Sequence, residues 1–270
     1  MTGRSLQIRI SHPVTRTEEI MVAPQVWRRV VYIKWKPSAS QAEIARAQNI
    51  HKSFARLIPV VLSVTEGFTF TSLVDGAGCY PGVALGEQNQ GFQSAIELIY
   101  SCSTPEELEE KYFNHPVHLA ATKIIDPLIE DAWAMDWLED RDTLLVPSTT
   151  MSVMRHLVFF KWEDGTTAAQ EKALFDAWKT LPKNMSYCLA VSCGHALRWK
   201  RGENRGFDAA LVVDLALSSS DGVEEIAAYA TSETYGKINE KFLAPIRKSY
   251  VVMDYAENRF GTGNGRTAKL

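Results

Sequence analysis

The chain states one module twice, and that repetition constrains its fold more than any other feature. Arg29-Val30-Val31-Tyr32-Ile33-Lys34-Trp35 returns as His156-Leu157-Val158-Phe159-Phe160-Lys161-Trp162, 127 positions later. Leu57-Ile58-Pro59 returns as Thr180-Leu181-Pro182, Gly91-Phe92 as Gly206-Phe207, and Met135-Asp136-Trp137 as Met253-Asp254-Tyr255, at offsets of 123, 115 and 118. The order never breaks, so two copies of one supersecondary unit are implied. The fall in offset places extra loop in the first copy around Ser72 to Gln90, where Gly76, Gly78, Pro81, Gly82 and Gly86 cluster. Such a loop could act as a lid.

Each copy reads as strand, helix, strand, strand, helix, strand. The opening strands are dense in β-branched and aromatic residues, and Ile44, Ala47, His51, Phe54 and Ile58 recur at helical spacing. Ser40 with Glu43 makes a capping box, and Thr104-Pro105-Glu106 a second helix start. The last strand of each copy is the aromatic segment Trp133 to Trp137 or Tyr250 to Tyr255. A split βαβ sheet of this kind carries helices on one face only, so its other face needs a cover, and the second copy is the available one. The expected fold is α+β, two ferredoxin-like modules packed sheet to sheet. The expected division is an N-terminal extension over 1–25, modules over 26–138 and 154–258, a linker over 139–153, and a tail over 259–270.

Charge and composition narrow the function. A formal charge of −3 and a pI near 6.1 give no basic footprint for nucleic acid. Apolar runs such as Leu211-Val212-Val213 fall far short of a membrane span, and Met1-Thr2-Gly3-Arg4-Ser5 lacks the apolar core of a secretory signal. A small-molecule substrate and an intracellular address are expected. The ending Ala268-Lys269-Leu270, a variant of a peroxisomal signal, leaves the address either cytoplasmic or peroxisomal. Cys79, Cys102, Cys188 and Cys193 lack paired-ligand spacing and read as thiols rather than a disulfide framework.

The copies diverge at one segment. The first carries Tyr112-Phe113-Asn114-His115-Pro116-Val117-His118 and the second Tyr229-Ala230-Thr231-Ser232-Glu233-Thr234-Tyr235. With His115 at a helix boundary and Pro116 in the first helical position, His118 lies in the first turn, facing the positive end of the helix dipole. A neutral imidazole there suits a general base, and the Tyr112 phenol suits a hydrogen-bond donor to a carbonyl or enolate oxygen. The same residues could equally cap and pack a helix junction. His115 and His118 have a spacing that can share a metal ion, but nothing completes a ligand set, and no residue stands out as a haem ligand. No metal and no cofactor is expected. The basic run from His195 through Arg198, Lys200, Arg201 and Arg205 reads as a solvated loop before an anion clamp.

These segments resemble the stress-responsive A/B barrel domain family. The resemblance rests on Arg155 to Trp162, Gly206 to Val213 and Val251 to Tyr255 in the second copy, and on Tyr112 with His115 to His118 in the first. It implies a dimeric α+β barrel closed within one chain, an intrachain pseudo-dimer that could associate further. It also implies a parallel with a plant polyketide cyclase of the family, whose catalytic pair falls on Tyr112 and His118, with His115 as an orienting partner. Pocket positions of that enzyme fall on Arg29, Val31, Ile33, His51 and Ile96. Arg29 departs from its histidine, which only the second copy keeps, as His156; with Tyr229 it makes a second candidate site. The expectation is a cofactor-independent cyclase, isomerase or lyase of secondary metabolism acting on a polyketide-like or carbonyl-bearing substrate. The alternatives are a non-catalytic ligand-binding barrel and a cofactor-free oxygenase.

Overall fold

The computed structural model describes residues 25–68, 90–140, 153–199, 204–217 and 223–256. The N-terminal extension up to residue 24, the loop over 69–89 with Cys79, and the ending Ala268-Lys269-Leu270 lie outside those residues.

The first module runs β1 (Gln25–Trp35), α1 (Gln41–Leu57), β2 (Val61–Phe68), β3 (Ser94–Tyr100) and α2 (Pro105–Leu108). A π-helical turn (Glu109–Phe113), α3 (Pro116–Ile125), a 3-10 turn (Asp126–Leu128) and β4 (Ile129–Asp140) complete it. The second runs β5 (Val153–Trp162), α4 (Ala168–Trp178), α5 (Leu181–Asn184), β6 (Cys188–His195) and β7 (Ala209–Ala216). It ends with α6 (Val223–Thr231), α7 (Glu233–Ile238), a π-helical turn (Asn239–Leu243) and β8 (Arg247–Ala256). Each module forms a four-stranded antiparallel sheet, in the orders β2-β3-β1-β4 and β6-β7-β5-β8. This is the expected α+β architecture, with β4 and β8 longer than their aromatic segments because their full lengths pair with β1 and β5.

Local signals account for the starts. Ser40 accepts from the Glu43 amide while the Glu43 carboxylate returns to the Ser40 amide, closing the capping box of α1. Thr104 caps α2, with Pro105 in its first turn. The repeated glycine has a conformational cause: Gln90 and Gly91, and likewise Arg205 and Gly206, take positive φ in succession, a turn at which glycine removes the strain.

Strand alternation makes three cores. Trp27, Ile33 and Trp35 face the helices of the first module beside Ile44, Phe54 and Tyr112. Phe160, Trp162 and Trp178 do the same in the second. Val30, Tyr32, Trp133, Leu157, Phe159 and Val251 fill the space between the sheets, so each module covers the other's bare face. Tyr32 stacks on its counterpart Phe159 at 4.7 Å.

Polar contacts across this seam are reciprocal. The Trp137 indole donates to Ser192 Oγ at 3.0 Å, and Thr65 Oγ1 lies 3.3 Å from the Tyr255 hydroxyl. Gly67 and Gly194 sit at matching positions, and a Cβ on either would meet the ring of Tyr255 or Trp137. A charged cluster is buried here as well. Arg28 Nε lies 2.8 Å from Glu139, and Arg155 Nε 3.1 Å from Asp214, with Glu97 between the two arginines. Burial pushes the Asp214 carboxyl up to about 6 against the pull of Arg155.

Candidate functional site

A cavity of about 150 Å³ lies between the sheet of the first module and its helices. It brings together Arg29, Val31 and Ile33 from β1, Ile96 from β3, His51 from α1, Tyr112 from the π-helical turn and His118 from α3. Phe54, Leu98, Phe113, Ala121 and Ile125 supply apolar wall. Of the eight residues expected in the first module's site, seven line the cavity and His115 does not.

The helix break sets the site. The Asn114 amide reaches back to the Glu109 carbonyl, and the π-helical turn then ends. The Phe113 carbonyl takes the His118 imidazole instead, at 3.2 Å from Nδ1. A carbonyl can only accept, so the proton sits on Nδ1 and the lone pair on Nε2. The His118 ring stands 4.4 Å from that of Tyr112. Burial pushes the Tyr112 phenol up to about 12, with the Tyr100 hydroxyl and the Arg29 guanidinium pulling the other way. It therefore stays a neutral donor through the physiological range.

His115 does something else. It is the boundary residue of α3, and its Nδ1 accepts from the Val117 amide at 3.3 Å, which caps the helix. It is not among the residues lining the cavity.

Arg29 is held rather than open to any anion. Asp136, opposite it on β4, accepts from its guanidinium at 2.9 Å, from the Trp27 indole at 2.8 Å and from the Trp199 indole at 2.9 Å. Burial would lower the guanidinium, but Asp136 and the nearby phenols outweigh it and hold it above its usual value. Phe113 and Trp199 cover the charge at 5.1 and 5.9 Å. Sequence reasoning missed Asp136 and Trp199 as parts of the site. Asp136 had a signal, since Met135-Asp136-Trp137 recurs in the second copy. Trp199 had none, because it arrives from the loop between β6 and β7 of the other module. Two basic residues of the same loop pair with acids, Arg198 with Asp208 at 3.0 Å and Arg205 with Asp131. His195 lies 2.9 Å from Glu171.

The second module keeps the plan with other residues. His156 stands opposite Asp254, its Nδ1 2.6 Å from Oδ1, and its ring is 5.1 Å from that of Tyr229. Tyr235 fills the position of His118, 4.8 Å from Tyr229. His156 is fully buried, and its Nε2 has no hydrogen-bond partner among the described residues.

Comparison with known proteins places this architecture. A sequence profile of the Stress responsive A/B Barrel Domain matches residues 154–257. The second module is a stress-responsive A/B barrel domain. The first repeats its strand order and completes the barrel. Among solved structures, a candidate monooxygenase from Fusobacterium nucleatum subsp. nucleatum is 10% identical, with a TM-score of 0.56, over 92% of this chain and 100% of that one. An anthrone oxidase-like protein is 11% identical at the same TM-score, over 92% and 99%. A candidate monooxygenase from Lactobacillus acidophilus NCFM is 10% identical with a TM-score of 0.52, over 87% and 95%. These likenesses extend the fold across both modules of the barrel. No curated protein matches the chain. Among the described residues no helix is long and apolar enough to cross a membrane, and no cluster of His, Cys, Asp or Glu could hold a metal ion.

Proposed function

We propose that the cavity of the first module binds a small carbonyl compound and moves a proton on the carbon beside the carbonyl. The observation that carries this reading is the pairing of a tautomer-fixed His118 with a neutral Tyr112 phenol in one largely apolar cavity. His118 Nε2 takes the proton, and the bonding pair moves through carbon to the carbonyl oxygen. The Tyr112 hydroxyl donates to the enolate so formed. Return of the proton to a different carbon is an isomerisation. Attack of the enolate carbon on a second carbonyl, with the proton delivered to the new alkoxide, is an aldol cyclisation.

Size refines the substrate. A cavity of about 150 Å³ takes roughly one six-membered ring, so only the reacting end of a polyketide-like chain fits inside. The presence of the cavity favours a small-molecule site over a purely structural barrel. An oxygenase reading shares the first step, since an enolate can give an electron to dioxygen, and the names of the full-length structural neighbours favour keeping it. Deuterium exchange at the α-carbons of cyclohexanone in heavy water, followed by NMR, tests the common step. The native chain should accelerate exchange and His118→Gln should abolish the acceleration; equal rates for the two would sink the mechanism. An oxygen electrode run with the same ketone separates the oxygenase branch.

A further inference from the structure

The same cavity contains a second histidine with a carboxylate behind it. His51 lines the cavity from α1, and its Nδ1 lies 3.2 Å from Glu66 Oε2 on β2. The Glu66 side chain is fully buried, and its other oxygen, Oε1, has no hydrogen-bond partner among the described residues. Asp126, also on the cavity wall, is the next charged group acting with His51.

The sister module shows that the fold does not need this pair. By structural register, which from the helix caps to the second strands runs at 127 in place of the 123 read from Leu57-Ile58-Pro59, His51 corresponds to Trp178 and Glu66 to Cys193. Trp178 is fully buried and stacks on Phe160 at 5.2 Å, an apolar solution to the same packing problem. Burying a carboxylate with one oxygen unmatched costs free energy that an apolar pair avoids. A costly polar pair, retained beside the cavity that also holds His118, points to chemistry rather than stability.

We infer that His51 and Glu66 form a second acid–base unit of the first module's cavity, with His51 delivering a proton to substrate oxygen and Glu66 positioning it. This rests on the proton-transfer reading above and deepens it. Glu66 accepts the Nδ1–H of His51, so the exchangeable site for substrate is Nε2. Tyr112, raised to about 12, is a donor of hydrogen bonds and a poor source of protons. Enolisation puts negative charge on the carbonyl oxygen and an aldol step puts it on an alkoxide, and His51 Nε2–H protonates that oxygen to give the enol or the alcohol. His118 gives to solvent the proton it took from carbon and His51 takes one back from solvent, so the cycle closes without any other reagent. The two histidines are divided by partner: a carbonyl behind His118 and a carboxylate behind His51.

The test uses the full chain and cyclohexanone exchange, with Glu66→Gln, His51→Gln, the double variant and His118→Gln. Either single change at the pair should slow exchange at least about tenfold, leave ketone affinity within about threefold, and displace one limb of the rate–pH profile. The double variant should be no slower than the worse single one, as for residues acting as one unit. Glu66→Gln is near-isosteric and removes the buried charge, so its melting temperature should hold or rise, separating chemistry from misfolding. Unchanged rates and profile in Glu66→Gln and His51→Gln, with exchange lost in His118→Gln, overturn the pair and leave the first mechanism standing. No acceleration by the native chain overturns both.

Discussion

The Trp199 indole N–H, on the second module, donates to Asp136 Oδ2 on the first at 2.9 Å. Its ring stands edge-on to Trp27 at 5.4 Å and tilted against Phe113 at 5.6 Å. The second module thereby backs the Phe113 wall of the first module's cavity and the carboxylate that holds Arg29, and Trp199 itself lines an outer groove of about 480 Å³ with Glu106, Glu109, Asn114 and Arg198. Trp199→Phe keeps the ring contacts and drops one bond to a buried carboxylate, which should cost about 1–3 kcal/mol in chemical denaturation. Trp199→Ala should also leave Phe113, a residue of the cavity wall, without its backing ring, and so let in larger rings. Ligand-detected NMR with phenol and 2-naphthol reads this as a gain for naphthol alone.

The seam between the sheets should resist added bulk. A Cβ on Gly67 would run into the Tyr255 ring and stand 2.6 Å from the Ala256 carbonyl oxygen, and one on Gly194 would stand 2.7 Å from Trp137 Cδ1. Gly67→Ala meets backbone as well as ring, so it should be the worse of the two. A loss of about 1–3 kcal/mol is expected, seen as a lower melting temperature in both variants.

Asp214 should make stability depend on pH in a defined direction. Its carboxyl sits at about 6 in the folded chain, above its unfolded value of 3.8, chiefly through burial. The folded state holds a proton that the unfolded state has lost between those values, so stability falls as pH rises through this window. Asp214→Asn should flatten that slope, with a gain on the order of 2 kcal/mol at pH 7 and little at pH 4. Melting temperatures across pH 4 to 7 decide it, and a slope unchanged in the variant counts against the assignment.

The thiols should be inert. Burial raises Cys102 to about 11 and Cys188 and Cys193 to about 12. Thiolate is the reactive form, so these three should stay unlabelled by iodoacetamide in the native chain at pH 8 and label only on unfolding. Mass spectrometry of the digested protein locates any modification.

Much of this was legible in the sequence because the repeat compares the chain with itself. It exposed the matching strands and the segment where His115 and His118 lost their counterparts while Tyr112 kept its own in Tyr229. Local rules placed His115 at the helix boundary, and that is where its ring is spent, as a cap. What escaped were relationships across sheets and modules. The partnership of Arg29 with Asp136 depends on strand register, that of His51 with Glu66 on α1 crossing β2, and the arrival of Trp199 on the closure of the barrel. None of these has a signature in sequence spacing.

The buried cluster of Arg28, Arg155, Glu97, Glu139 and Asp214 says something about molecularity. In a barrel built from two separate chains, the cost of desolvating such charges would be subtracted from an association free energy that also opposes lost translation and rotation. Here both halves lie on one polypeptide, so their meeting is a first-order event, insensitive to dilution. The seam can therefore be polar without the barrel coming apart at low concentration.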